Sequence, residues 1–225
     1  MKHTAYFNLL DVLKESGCAI CSLIKKSVHK SMDSFLYEQI NDSGVRKEIR
    51  ESLGFCNRHA WQLQKFGDGL GLSIIYRYLS ELLIDKMDKK VGQKTLIKKL
   101  LQDKEIRNFQ KIQNTCRVCK GVKEVERRYI GVFIDNFEDA EFQFAFKNSF
   151  GLCLPHLLTV LRLCKERKVS VGVLKIELVK IKSIIEELKE FERKYDYRFS
   201  GEKFGKGGDS WIRAIEKLAG KEDVF

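Results

Sequence analysis

Four pairs of cysteine and histidine residues, each with two residues between its members, stand out in the sequence. Two pairs are Cys-x2-Cys and two are Cys-x2-His: Cys18 with Cys21, Cys116 with Cys119, Cys56 with His59, and Cys153 with His156. Thiolate sulfur and imidazole nitrogen are ligands that proteins offer to zinc and to iron–sulfur clusters. The pairs therefore indicate metal binding.

The spacing within each pair suits the start of a helix. Residues three apart share one face of a helix, so Cys56 and His59 can bind the same ion. A Cys-x2-Cys pair at a turn that enters a helix can direct both sulfurs to one point, and the helix N-terminus favours the thiolate over the thiol. Pro155 fits the first turn of a helix, where its missing N–H costs nothing.

One pair cannot saturate a tetrahedral ion, so each pair needs a second. The nearest candidate is the other pair in the same half of the chain, after 34 intervening residues in the first half and 33 in the second. That length allows a helix out, a turn and a helix back. We therefore predict two metal sites, formed by Cys18, Cys21, Cys56 and His59 and by Cys116, Cys119, Cys153 and His156.

Three thiolates and one imidazole match the closed shell of structural zinc, which leaves no position for a catalytic water. An iron–sulfur cluster is the alternative, because His can replace Cys on iron, although the run of closely spaced cysteines common in ferredoxins is absent. Buried, metal-free thiols would not explain why all four positions repeat. A thioredoxin-like role for Cys18 and Cys21 lacks the βαβ pattern that it requires.

The sequence contains an internal duplication. Asp42, Ser52, Gly54, Cys56 and His59 recur 97 positions later, and the two Cys-x2-Cys pairs are 98 positions apart. A one-residue insertion or deletion in the intervening helix or its loop accounts for the difference. The architecture should therefore be two similar units in tandem.

Apolar residues at three- and four-residue spacing predict helices throughout, and no stretch alternates like a strand. The predicted fold is all-α, with two duplicated metal-binding units packed as one helical assembly. We place the first unit at residues 1–92, the second, with a connecting helix from about Thr95, at 93–199, and a Gly-rich linker with a short helix at 200–225. The last helix, "SWIRAIEKLAG", is expected to dock through Trp211, Ile212, Ile215 and Leu218.

Composition, with 44% apolar and 32% charged residues, supports a packed, soluble globular protein and argues against disorder. The formal net charge is +11 and the pI is near 9.3, which favours contact with RNA, DNA, anionic lipid or an acidic partner. The basic residues are spread along the helices, so a solvated surface explains most of this charge. No apolar run approaches the roughly 20 residues of a membrane span, and charges come too early for a secretory signal, so the cytoplasm is the expected location. In that reducing compartment seven cysteines indicate metal or catalysis rather than disulfides.

Other candidates are weaker. Cys164 is predicted to be a core thiol, and His3 and His29 have no partner at ligand spacing. The basic residues Arg46, Lys47, Arg50 and Arg58 offer an anion site near the first Cys-x2-His pair, although a solvated face explains them more simply.

The segments "CAICSL", "GFCNRHAWQL", "CRVCK" and "SFGLCLPHLL" together resemble a family of uncharacterised prokaryotic proteins that carry the same double Cys-x2-Cys and Cys-x2-His pattern. The resemblance covers roughly residues 8 to 190. It implies no activity, because the family is catalogued as a domain of unknown function.

The function that the residues favour is a non-enzymatic protein with two metal ions, zinc above all, that binds a protein or a nucleic acid. The alternative is an electron-transfer protein with iron–sulfur clusters at the same two sites. A thiol enzyme would need a reactive cysteine outside the sites, and only Cys164 qualifies. Nothing in the sequence indicates the oligomeric state.

Overall fold

The computed structural model describes residues 3–88, 96–199 and 201–225, and in these ranges the chain is helical with no strand. The predicted all-α class is confirmed. Among the described helices, none combines the length and apolar character that crossing a membrane requires.

The helices fall into two series with short helices between them. The first part of the chain contains α1 (Thr4–Leu13), α2 (Ala19–Ser34), α3 (Ser43–Ser52), α4 (Asn57–Gln64) and α5 (Gly69–Asp88). Three short helices follow: α6 (Leu96–Leu101), α7 (Lys104–Gln110) and α8 (Ile112–Thr115). The rest comprises α9 (Arg117–Asp135), α10 (Ala140–Asn148), α11 (Leu154–Leu163), α12 (Arg167–Lys194) and α13 (Ser210–Ala219), with 3-10 turns at Tyr197–Phe199 and Gly205–Gly207.

The series α2–α5 and α9–α12 repeat the same local structures. Asp42 caps α3 by accepting a hydrogen bond from the Val45 amide, and Asp139 caps α10 by accepting one from Phe142. The loop before α4 and the loop before α11 each turn at a glycine with positive φ, 108° at Gly54 and 88° at Gly151. The duplication seen in the sequence is therefore also a duplication of caps and turns.

The one-residue difference between the two repeats has a structural counterpart in α2. Residues Phe35–Gln39 continue α2 as a π-helical turn, whereas α9 has no such turn. A π turn takes up one more residue than an α turn. The first repeat therefore absorbs its extra residue inside the helix, and Phe35 and Ile40 both stay buried.

The predicted connecting helix is wrong in one respect, because three short helices occupy that part of the chain. Thr95, where it was expected to start, lies outside the described residues. The break after α6 occurs at Asp103, whose carboxylate accepts a hydrogen bond from the Ile106 amide at 3.4 Å and pairs with Lys86 at 3.2 Å. A carboxylate at this position caps the first turn of α7 and so favours a new helix start here.

The chain forms two compact units that do not coincide with the predicted halves. One unit is continuous, Lys26–Glu124, and the other is discontinuous, Met1–Lys25 with Val125–Phe225. Both boundaries fall inside helices, so α2 and α9 each begin in one unit and end in the other. The boundary predicted between residues 92 and 93 lies outside the described residues.

Each unit has its own apolar core. In the continuous unit, Met32, Phe35, Ile49, Leu63 and Ile75 are among the buried residues. In the discontinuous unit, the rings of Phe133, Phe142 and Phe146 pack edge to face, with centroids 4.9 to 5.3 Å apart. Tyr6 of α1 joins this aromatic group and donates a hydrogen bond to Asp139, the cap of α10, at 2.7 Å.

The last helix forms where the sequence predicts it, with Asp209 before its first turn and Gly220 after its last. The predicted docking face is wrong, because Trp211, Ile212, Ile215 and Leu218 are between 48% and 64% exposed. The side that packs instead carries Ser210 and Lys217. The reason is electrostatic: Lys217 meets the buried carboxylate of Glu177 at 2.5 Å, and this ion pair sets the rotation of α13.

Candidate metal centres

The eight predicted ligands meet in two buried groups of four. One group contains Cys18, Cys21, Cys153 and His156, which we call the α2–α11 cage. The other contains Cys56, His59, Cys116 and Cys119, which we call the α4–α9 cage. Within each cage the four ligand atoms lie within 4.8 Å of one another, and all eight residues are buried.

The pairing predicted from the sequence is wrong, because each Cys-x2-Cys pair meets the Cys-x2-His pair of the other repeat. The reason lies in α2 and α9, which cross from one compact unit into the other. Their first residues carry the Cys-x2-Cys pairs, so each pair stays in the unit where its helix starts. The α2–α11 cage belongs wholly to the discontinuous unit, and the α4–α9 cage to the continuous one.

All four pairs occupy the same position at a helix start, as the spacing predicts. The first member directly precedes the helix, and the second is its third residue: Cys18 and Cys21 on α2, Cys56 and His59 on α4, Cys116 and Cys119 on α9, Cys153 and His156 on α11. Each cage therefore lies between two helix N-termini, whose partial positive charge stabilises thiolates.

Distances in the α2–α11 cage converge on one point. His156 Nδ1 lies 3.1 Å from Cys153 Sγ and 3.4 Å from both Cys18 Sγ and Cys21 Sγ. The sulfurs of Cys21 and Cys153 are 3.7 Å apart. The same ring nitrogen thus faces all three sulfurs.

The α4–α9 cage repeats this geometry. His59 Nδ1 lies 3.2 Å from Cys56 Sγ, 3.3 Å from Cys119 Sγ and 3.6 Å from Cys116 Sγ. The sulfurs of Cys56 and Cys119 are 3.6 Å apart. None of the six cysteines in the two cages forms a disulfide.

These separations fit a single tetrahedral ion. Bonds of about 2.3 Å to sulfur and about 2.0 Å to nitrogen place tetrahedral ligands about 3.8 Å apart for two sulfurs and about 3.5 Å apart for sulfur and nitrogen. The sulfurs are much farther apart than the roughly 2.05 Å of a disulfide. Both cages are therefore able to hold a metal ion through Cys3His ligands.

The thiols within each cage affect the ionisation of one another. In the α4–α9 cage, hydrogen bonds from Cys119 and Cys56 lower the pKa of Cys116, and the same hydrogen bond to Cys116 raises the pKa of Cys119. In the α2–α11 cage, hydrogen bonds to Cys18 and Cys21 raise the pKa of Cys153. Without a cation, one thiolate in a cage opposes ionisation of its neighbours.

The outer nitrogens of the two histidines face different groups. His156 Nε2 lies 3.6 Å from the carboxylate of Glu126, beyond hydrogen-bond distance, and forms no hydrogen bond within the described residues. His59 Nε2 lies 3.4 Å from Arg58 Nη2. The Glu126 carboxylate adds negative charge near the α2–α11 cage, whereas the Arg58 guanidinium offsets the negative charge of three thiolates in the α4–α9 cage. The duplicated cages therefore differ in their electrostatics.

A buried ion pair positions the loop that carries Cys153. The Glu177 carboxylate accepts a hydrogen bond from the Leu152 amide at 2.8 Å and pairs with Lys217, which also donates to the Phe150 carbonyl at 3.0 Å. Sequence reasoning missed this pair. The available signal was Glu177 itself, which follows Val169 and Val173 at four-residue spacing on the buried side of α12.

The weaker candidates lie outside the cages. Cys164 is half-buried and its thiol contacts the Glu166 carbonyl at 3.4 Å, so it is less buried than the predicted core thiol. His29 packs against the ring of Phe66, with centroids 4.8 Å apart. Arg46 donates to the Ile40 carbonyl, which accounts for one of the four basic residues considered for an anion site.

Comparison with known proteins places the chain in a family. The sequence model of a "Family of unknown function (DUF6062)" matches residues 1–224. The chain belongs to this family. A relative, described as "Uncharacterized 23.9 kDa protein in xynA 3'region" from Caldicellulosiruptor sp. (strain Rt8B.4), is 29% identical over 222 residues, covering 95% of this chain and 100% of that protein. No solved structure matches.

Proposed function

We propose that this member of the DUF6062 family is a non-enzymatic protein in which two structural zinc ions organise two helical units for binding a partner protein. The observation that carries the proposal is the closed geometry of the cages, in which three sulfurs and one Nδ1 atom surround a single point. Four protein ligands leave no coordination position for a substrate or a water.

The sulfur separations favour a single ion over an iron–sulfur cluster. A cluster needs room for several iron and sulfide atoms between its ligands. Sulfurs 3.6 and 3.7 Å apart leave room for one atom bound to all of them. Zinc fits a Cys3His set best, since it takes thiolate and imidazole in tetrahedral sites and needs no redox partner.

Elemental analysis and an absorption spectrum of anaerobically prepared protein test the metal. We expect about two zinc ions per chain and no absorption in the visible range. Iron, sulfide and a brown colour would contradict zinc and support electron transfer.

Two substitutions separate structural zinc from an incidental thiol cluster. Cys56→Ala removes a ligand of the α4–α9 cage, and we expect it to lose one zinc ion and to lower the free energy of unfolding by more than about 4 kcal/mol. Cys164→Ala is the matched control, because Cys164 lies outside both cages. Equal stability of the two variants would contradict the structural role.

A protein is the proposed partner rather than a nucleic acid. Several basic side chains are engaged within the chain: Arg117 pairs with Glu48, Arg193 with Glu190 and Glu202, and Lys217 with Glu177. At the same time Trp211, Ile212, Ile215 and Leu218 expose an apolar strip on α13. Apolar side chains exposed together are typical of protein-binding surfaces.

Binding of labelled RNA and DNA at increasing salt concentration distinguishes the two partner classes. Phosphate contacts give an affinity that falls steeply with salt, because bound counterions are released. We expect no such salt-dependent binding at physiological ionic strength. A tight, salt-dependent affinity would replace the protein partner by a nucleic acid.

A further inference from the structure

The segment Asp209–Phe225, which contains α13, lies over the α2–α11 cage. The ring of Phe225 packs against the ring of His156, with centroids 5.0 Å apart, and Val224 beside it is buried. Gly220, with φ of +87°, lets the chain turn tightly here. A Cβ atom at this position would overlap the Phe225 ring and lie 3.6 Å from Cys153 Sγ.

The same segment holds the other two cysteines of the cage. The Cys18 amide donates a hydrogen bond to Glu216 Oε1 at 3.0 Å, and the backbone amide of Lys221 donates to the Cys21 thiol. The Lys221 side chain donates to the Ser16 carbonyl at 2.7 Å and to Ser22 Oγ at 2.8 Å. Each of the four ligands therefore has a neighbour in Asp209–Phe225.

The segment Asp209–Phe225 packs so closely against the α2–α11 cage that the positions of the two depend on each other. Gly17 precedes Cys18 with φ of +84°, and a Cβ atom there would overlap Glu216 and Lys221. A small shift of Cys18, Cys21 or His156 would thus displace the segment. In a metal-free cage, three neighbouring thiols lack the cation that holds them at one point.

We propose that Asp209–Phe225 is a lid whose docking is coupled to metal binding in the α2–α11 cage. The inference rests on the proposed function in one respect, that a metal ion occupies this cage. If the bound ion fixes the ligands that the lid contacts, metal binding strengthens the docking of the lid. Thermodynamic linkage then requires lid docking to strengthen metal binding by the same factor. Loss of the ion weakens the docking of the lid, which the buried pair of Lys217 and Glu177 also holds in place.

The release of the two zinc ions to a chromogenic chelator tests the lid. Phe225→Ala removes the ring that packs against His156, and we expect release from one cage to accelerate by a factor of about 5 to 150. Release of the second ion should keep its original rate, because the α4–α9 cage lies in the other compact unit. The same measurement on Phe225→Ala with Cys56→Ala, in which one ligand of the α4–α9 cage is missing, identifies the cage that opens.

Two further variants serve as controls. Leu218→Ala alters an exposed residue of the lid without a contact to the cage, and should leave both rates unchanged. Phe225→Leu keeps an apolar side chain over His156 and should restore part of the retention. Equal acceleration of both ions in Phe225→Ala would indicate general destabilisation and overturn the lid.

The effect of metal binding on the docking of the lid can be measured at the lid itself. The sequence has two tryptophans, so Trp61→Phe leaves Trp211 of the lid as the sole reporter. Adding zinc to the metal-free variant should raise the fluorescence anisotropy of Trp211. It should also protect the exposed Lys203, which lies before the lid, from a lysine-specific protease about 5-fold or more.

The outcomes separate the two proposals. A protein that binds no metal contradicts the proposed function itself. A protein that binds two zinc ions, yet shows the same Trp211 anisotropy and the same cleavage at Lys203 with and without them, overturns the lid alone.

Discussion

Cys21 and Cys153 are 132 positions apart in the chain, yet their sulfur atoms lie 3.7 Å apart in one cage. They belong to different repeats. The candidate metal sites are thus formed between the repeats, so neither repeat supplies all four ligands of a site alone.

Two double variants distinguish this exchanged pairing from a pairing within each repeat. Cys21→Ala with Cys153→Ala removes two ligands from one cage, and we expect about one zinc ion per chain to remain after dialysis against a chelator. Cys21→Ala with Cys56→Ala removes one ligand from each cage, and we expect both ions to be lost. Pairing within each repeat predicts the opposite result, so zinc content decides between them.

The sequence predicts the ligands but not their partition. Residue type, three-residue spacing and the repeated order identify all eight side chains, and the apolar periodicity identifies the helices that carry them. Which Cys-x2-Cys pair meets which Cys-x2-His pair depends on the compact units in which α2 and α9 begin and end. The apolar pattern of a helix does not contain this information. The duplication favoured tandem units, because sequence neighbours are usually spatial neighbours.

The docking face of α13 is a second feature that the apolar pattern of the sequence does not predict. Trp211, Ile212, Ile215 and Leu218 form the apolar side that normally packs inward. The helix packs through Lys217 instead, because Glu177 offers a buried carboxylate on α12. A buried ion pair between residues 40 positions apart leaves only one trace in the sequence, a glutamate on an apolar stripe.

The ion pair between Glu177 and Lys217 is expected to be essential for the discontinuous unit. Their side chains are 1% and 5% exposed. Lys217→Met leaves the carboxylate buried without its partner, which should lower the free energy of unfolding by about 3 to 5 kcal/mol in urea denaturation. Lys217→Met with Glu177→Gln should recover part of that loss, since no charge is then buried.

The exposed pair between Lys168 and Glu138 is the control for that measurement. Lys168→Met should leave the urea midpoint unchanged, because both partners are in contact with water. A similar loss at both sites would contradict a special role for the buried pair.

Lys180 predicts a pH dependence of stability. Burial lowers the pKa of Lys180 to about 8, against 10.5 for an ordinary lysine, although the neighbouring Glu177 opposes the shift and Lys217 adds to it. Between these two values the unfolded chain binds a proton that the folded chain does not. The contribution of Lys180 to the free energy of unfolding therefore rises with pH from about 8 to 10.5.

Urea denaturation of zinc-loaded protein at pH 8, 9 and 10 measures this contribution as a difference between two proteins. Relative to Lys180→Gln, the unchanged protein should gain stability as the pH rises. Groups that titrate equally in both proteins cancel in the difference. A constant difference would show that Lys180 has an ordinary pKa.

The π turn at Phe35–Gln39 predicts where a deletion is tolerated. Deleting Tyr37, which is 89% exposed, gives the first repeat the spacing of the second. Phe35 and Ile40 would then be four residues apart, so an ordinary α turn keeps both on the buried face. We expect circular dichroism to show cooperative unfolding at a similar temperature, with two zinc ions retained.

Deleting the exposed Asp135 at the corresponding end of α9, which has no extra residue, should rotate Phe142 and Phe146 out of register and strongly destabilise the discontinuous unit.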